Sequence, residues 1–217
     1  MNNFNEIYSN IFLHNTLSEY NNEIFREKFR KLTHFLTEEN NKYNLTAVKT
    51  AELIIPLHFA DSLIAAELFP KNSSVIDVGC GAGFPSLPLA IARDDLRITA
   101  LDSTAKRTQF AQAAAQMLAL SNLKTLTGRA EELSHAQAER EKYDGACARA
   151  VARLNVLAEL CIPFVKPGGY FIALKGALLG FVFRDVKAFF PDFAKLAAER
   201  LNSFCGFAVF LFSERSF

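Results

Sequence analysis

The stretch Asp77-Val78-Gly79-Cys80-Gly81-Ala82-Gly83-Phe84 is where residue type and spacing first suggest chemistry. Glycines at alternate positions let the backbone turn sharply and come close to a ligand, because a Cβ there would occupy the ligand's space. The residue types argue against a phosphate cradle. A P-loop needs Gly-Lys-Ser/Thr after its glycines and a dinucleotide fingerprint reads G-x-G-x-x-G, whereas this run is G-x-G-x-G followed by Phe84. Asp77, just ahead of the turn, would repel a pyrophosphate and suits a ligand with a positive end. S-adenosylmethionine, which carries an ammonium and a sulfonium, is such a ligand. Asp77, Gly79, Gly81 and Gly83 are therefore candidate cofactor residues, with an ordinary tight turn as the alternative.

Three more positions could complete such a site. Asp102 closes an apolar run, and its carboxylate offers two acceptor oxygens to the hydroxyls of a ribose. The competing role is a helix N-cap, which Ser103 or Thr104 could supply instead. Ala130-Glu131, after Gly128-Arg129, would lie beside an adenine, although an acid in a first helical turn also serves as a dipole partner. Arg149 follows a fourth apolar run, at the mouth where a group would be transferred.

The elements that must position these residues follow from the pattern. From Ser73 the chain alternates strands, expected near 74–78, 97–102, 123–127, 143–148 and 170–175, with helices near 86–93, 105–120, 130–139 and 154–165. Such alternation predicts an α/β fold: a mostly parallel sheet with helices on both faces and ligands at the carboxyl ends of the strands. Ahead of it, Phe4, Ile7, Tyr8, Ile11 and Phe12, then Phe25, Phe29, Leu32, Phe35 and Leu36, recur at helical spacing. Two amphipathic helices are expected there. Their basic residues Arg26, Lys28, Arg30 and Lys31 read as a solvated face, interrupted by Glu23 and Glu27. A polar break at 40–46 precedes a helical stretch at 52–69. Residues 1–70 are expected to form a helical segment packed on a core of 71–217, with a divergent part from 177.

Within 52–69, His58 and Asp61 lie three apart and share a helix face. With Ser62 they could suggest a hydrolase, but there is no G-x-S-x-G elbow, and adjacent Asp and Ser project in different directions.

The bounds are permissive. The chain has 217 residues, half of them hydrophobic, and a formal net charge of +1, so it is not a globally basic nucleic-acid binder, though a local patch is allowed. No apolar run is long enough to span a bilayer and no secretory signal opens the chain, which points to the cytoplasm. Cys80, Cys147, Cys161 and Cys205 are scattered without a C-x-x-C pair, and the four histidines make no metal-type spacing. Reduced thiols and no metal are expected.

Taken together, these residues resemble the ribosomal RNA small subunit methyltransferase G family, also called glucose-inhibited division protein B. The likeness runs from about Tyr43 to Gly176. It includes Asn44-Leu45-Thr46, His58-Phe59-Ala60-Asp61-Ser62, Asp77 to Leu89, Leu101-Asp102-Ser103 with Lys106-Arg107, Gly128-Arg129-Ala130-Glu131-Glu132, Arg149-Ala150 and Ala173-Leu174-Lys175-Gly176. It implies a class I methyltransferase fold, Rossmann-like with an N-terminal helical extension, that uses S-adenosylmethionine to methylate guanine N7 at position 527 of 16S rRNA. It also implies that Gly79, Phe84, Ala130, Glu131 and Arg149 line the cofactor site. Asn44, His58, Asp61, Lys106, Arg107 and Lys175 match family positions, and with Arg153 they are our candidates for RNA contact. Two departures stand out: Leu57 precedes His58 where a basic residue is common, and residues 177–217 hold ten of the 21 phenylalanines. Phe207 to Phe212 could still add an antiparallel edge strand.

Guanine N7 has an in-plane lone pair and no proton, so it needs no general base. Positioning is then the main work, and in-line alignment can supply on the order of 7–11 kcal/mol. Arg149 is the candidate catalytic residue. The partner is the small subunit or an assembly intermediate, met by a monomer and without a membrane. A methyltransferase with another substrate, or a non-catalytic cofactor- or RNA-binding assembly protein, are the rival readings.

Overall fold

In the computed structural model, residues 2–13, 17–149, 154–174 and 207–211 are described. Six strands form one sheet in the order β3-β2-β1-β4-β5-β6. They are β1 (Ser74–Val78), β2 (Arg97–Asp102), β3 (Leu123–Thr127), β4 (Tyr143–Arg149), β5 (Val165–Leu174) and β6 (Phe207–Leu211). The first five are parallel, and β6 pairs antiparallel with β5 as the expected edge strand. Strands β1 and β2 are buried almost end to end, as parallel strands covered on both faces must be. Because β2 and β3 lie on one side of β1 and β4 on the other, a crevice opens at the carboxyl ends of β1 and β4.

Helices cover both faces. On one side α1 (Asn2–Ile11), α2 (Glu23–Tyr43), α5 (Ser86–Ala92) and α6 (Ala105–Met117) bury Tyr8, Phe12, Phe29, Leu87 and Phe110 in one core with Val75 and Ile98 of the sheet. On the other, α8 (Leu154–Cys161) and the 3₁₀ turn Ile162–Phe164 cover Ile76, Ala146 and Phe171 through Leu157, Cys161 and Phe164. The amino-terminal helices belong to the first core through aromatic contacts: Phe29 meets Phe59 at 4.6 Å between ring centroids, and Phe35 stacks on Phe110 at 5.3 Å.

Several boundaries differ from those expected, each for a local reason. Helix α2 runs through the polar break to Tyr43, because Asn40 is buried and its side chain binds both the N–H and the C=O of Thr46. Asn44 ends it in the left-handed conformation at φ 51°, a conformation Asn tolerates better than most residues. The stretch 52–69 is broken: α3 (Ala51–Ile54) passes into a π-helical turn, Ile55–Ala60, then α4 (Asp61–Ile64) and a 3₁₀ turn. Pro56 has no N–H to donate into the preceding turn, and the chain widens around it, with the Asp61 N–H reaching back to Pro56 O. Helix α7 is one turn only, Ala130–Leu133, because no apolar stripe continues beyond Leu133. Pro163 stops α8 short, and β5 starts early at Val165 with a register shift opposite Tyr143 and Gly145.

Candidate cofactor and methyl-transfer site

The crevice holds a pocket of about 450 Å³, lined by Gly79 and Gly81 after β1, Asp102 and Ser103 after β2, Ala130 and Glu131 at the start of α7, and Arg149 at the end of β4. Its first wall is made by backbone. The N–H groups of Gly79 and Cys80 both donate to Leu101 O, at 2.8 and 2.9 Å, tying the loop to β2. Gly81 stands at φ 55° with open space where a Cβ would lie, so its conformation asks for glycine while the pocket stays clear. Its N–H donates to Asp102 Oδ2 at 3.0 Å.

Asp102 is buried and already engaged. Oδ1 accepts the Thr104 N–H at 2.9 Å, and Oδ2 also faces Arg107 Nη1 at 3.4 Å. A carboxylate has about four acceptor sites, so capacity for ribose hydroxyls remains. The N-cap alternative for Asp102 does not hold, because the cap position of α6 belongs to Thr104. Thr104 occupies the N-cap position of α6 without a side-chain bond, and the Asp102 carboxylate takes its N–H.

Three expected cofactor residues stand beneath this lining. Asp77 is fully buried, and one of its oxygens accepts the Ser86 N–H and hydroxyl, pinning the loop to the start of α5. Burial pushes its carboxyl up to about 6, opposed by the Ser86 hydrogen bonds. Its other oxygen, Oδ1, receives no N–H or hydroxyl among the described residues, and the buried Cys147 thiol lies against the same carboxyl. Gly83 is a packing glycine, since a Cβ would come within 2.4 Å of Leu87 Cδ1. Phe84 is buried and serves as a platform: the His58 ring stacks on it at 4.4 Å, and the Arg149 guanidinium lies 5.3 Å from its centroid.

The second wall is a single guanidinium held by side chains. Arg149 Nη1 donates to Leu57 O at 3.1 Å and pairs with Asp61 Oδ2 at 3.3 Å, while Nη2 lies 3.0 Å from His58 Nδ1. Nδ1 thus sits between the guanidinium, which can only donate, and Leu57 O, 3.1 Å away, which can only accept, while Nε2 faces Thr46 Oγ1 at 3.1 Å. Burial first, and the Arg149 charge second, push the His58 imidazole down to about 4. Burial raises Asp61 despite the guanidinium beside it, and lowers Arg149 despite the carboxylate. The network continues from His58 through Thr46 to Asn40 in α2.

The candidates for RNA contact are redistributed accordingly. His58 and Asp61 do share a face, but it turns inward onto Arg149. Arg107 lines the pocket through Asp102, and Asn44 caps α2. Lys106 lies 5.5 Å from the centroid of Tyr43. Arg153 and Lys175 lie outside the described residues. Thr46 and Leu45 were missed as site residues, although the Asn-Leu-Thr run that holds them was visible. No described helix is long and apolar enough to cross a membrane, and no metal-type cluster occurs among the described residues.

The residues present fit S-adenosylmethionine. Gly81 leaves room for close approach, Asp102 keeps acceptor capacity, and the Asp77 oxygen that receives no N–H or hydroxyl puts negative potential beneath the loop. Comparison with known proteins agrees. The family model of GidB, rRNA small subunit methyltransferase G, matches residues 25–180. Proteins named ribosomal RNA small subunit methyltransferase G are similar to this chain in Clostridium beijerinckii (49% identity, 69% of this chain and 64% of that protein) and Deinococcus deserti (44%, 70% and 63%). The relative in Clostridium perfringens is 47% identical over 73% of this chain and 66% of its own length. The matched part thus spans a little under two thirds of these relatives. With the family model covering well over half of its length, and that match containing the glycine loop, Asp102 and Arg149, the chain belongs to the rRNA small subunit methyltransferase G (GidB) family.

Proposed function

We propose that this chain transfers a methyl group from S-adenosylmethionine to N7 of the guanosine at position 527 of 16S rRNA, in the small ribosomal subunit or an assembly intermediate. It would act as a monomer in the cytoplasm. The observation that carries this is the network around Arg149. The two side chains nearest to a general-base pair, His58 and Asp61, are occupied in holding a cation. That suits an acceptor atom with a lone pair and no proton.

Bound in the pocket, S-adenosylmethionine would supply an electrophilic methyl, whose transfer forms a C–N bond at N7 as the S–C electron pair returns to sulfur. No proton moves, and the purine takes up the positive charge. The chain's own work is then orientation. Gly81 and Asp102 set one wall, and Arg149, held by Asp61, Leu57 O and His58, sets the other. Reaching N7 requires an exposed base, so a loop or single-stranded region is the substrate form.

The test is transfer of labelled methyl to small subunits lacking the mark, with the labelled base identified by mass. Label on guanosine N7 is the expected result. No transfer, with cofactor binding intact by calorimetry, would move the assignment to another substrate or to a non-catalytic assembly role.

A further inference from the structure

We infer that the groove between α2 and α6 is a nucleotide subsite, in which the Tyr43 ring stacks on an unpaired base flanking the target guanosine while Lys106 meets its phosphate. This rests on the proposed RNA substrate and adds to it a place where a neighbouring nucleotide is held.

Tyr43 is the last residue of α2, and 46% of it is exposed. The left-handed Asn44 turns the chain directly into Leu45, which lines the cofactor pocket. On the facing helix Lys106 sits beside Arg107, which lines the same pocket. The subsite therefore adjoins the site of transfer through both of its walls. Its volume is about 310 Å³, with Phe35 and Phe110 among its lining residues and Gln109 offering an amide to a base edge. Pockets that hold small ligands begin at about 300 Å³.

Charge selects the occupant. Lys106 and Arg107 stand in the first turn of α6, where the helix dipole disfavours cations and welcomes anions, and no acid occupies that turn. Arg107 is paired with Asp102, but Lys106 has no ion pair among the described residues. One acid, Glu39, lines the groove itself, and its carboxylate is bound by Lys42 at 2.7 Å. A half-exposed aromatic ring with an unneutralised ammonium over it, at a helix N-terminus, matches a base with its phosphate once the ammonium moves to the phosphate, and stacking of this kind tolerates any base.

The chain contains no tryptophan, so Tyr43→Trp places a sole indole in the groove. The full chain is titrated with a single-stranded RNA oligonucleotide of the target loop, and fluorescence is followed alongside methyl transfer to unmodified small subunits. Saturable quenching is expected. Tyr43→Ala should raise KM for the subunit about 5- to 100-fold, with the loss falling on KM rather than kcat, and Tyr43→Phe should restore it. Lys106→Ala should reduce the salt dependence of RNA binding by about one counterion. Calorimetric cofactor binding reports that each variant is folded. An indole unquenched at saturating RNA, or a KM unmoved in Tyr43→Ala, would reduce the Tyr43–Lys106 contact to simple helix packing. A wild-type chain that methylates no subunit RNA would instead overturn the proposed substrate, whatever the fluorescence shows.

Discussion

The two walls of the pocket are built from different materials. The β1–β2 wall is backbone, with the N–H groups of Gly79, Cys80 and Gly81 held by Leu101 O and Asp102. The β4 wall is one guanidinium, held by side-chain and carbonyl groups from residues about 90 positions earlier in the chain. The first arrangement joins two neighbouring strands and depends on its glycines and on the Asp102 carboxylate. The second relies on the amino-terminal helices being docked, so transfer geometry and the folding of that segment are linked. Substitutions should therefore separate into those that damage binding, those that damage folding and those that damage alignment.

The largest expected effect is on the side-chain wall. Arg149→Ala should lower kcat about 100-fold or more, since a misplacement of 1 Å near the reacting atoms can cost that much. Arg149→Lys should recover little, because an ammonium cannot span Asp61, Leu57 O and His58 together. Steady-state kinetics with a melting curve for each variant check this. Unchanged turnover in Arg149→Ala would remove it from the site.

The backbone wall divides at its glycines. Gly83→Ala drives a Cβ into Leu87 at a φ of 79° and should cost about 2–4 kcal/mol of stability, read by urea denaturation. Gly81→Ala meets no atom, so only the strain of a positive φ remains, about 1–2 kcal/mol. Its methyl points into the cofactor's space, so calorimetric affinity should fall more than stability does. Equal losses in both measurements would erase the distinction between a packing glycine and a binding one.

That distinction could not be read from the glycine spacing, because Gly81 and Gly83 look alike until Leu87 is placed. The five parallel strands could be read, since strands buried on both faces carry near-continuous apolar runs. So could the convergence of Asp102, Glu131 and Arg149, which follows from strand ends sharing one edge of the sheet. The widened turn at Ile55–Ala60 was hidden by an unbroken helical periodicity across Pro56. The inward turn of His58 and Asp61 was hidden because their partner, Arg149, lies far along the chain. Spacing put the pair on one face, but only the docking of that helix decides which way the face points.

The smallest expected effect tests the protonation of the side-chain wall. His58 is held near 4 against an ordinary 6.5, so the unfolded chain takes up its proton first as pH falls. Its contribution is complete above pH 6.5 and is lost as pH falls from there towards 4. Asp77 acts in the opposite sense. Raised to about 6 from 3.8, it is protonated first in the folded chain, which stabilises the fold as pH falls through 6, and Asp61 shifts in the same direction. Between pH 7.5 and 5.5 the His58 loss is about 1 kcal/mol, and Asp77 offsets part of it, leaving a shallow net decline in the wild type. His58→Gln keeps an acceptor for Arg149 but cannot take up a proton. Its unfolding free energy should therefore rise over the same interval, gaining about 1 kcal/mol on the wild type by pH 5.5 in urea titrations. Parallel curves for the two proteins would mean that His58 is not held neutral by burial, and that the guanidinium is positioned by Asp61 and Leu57 O without it.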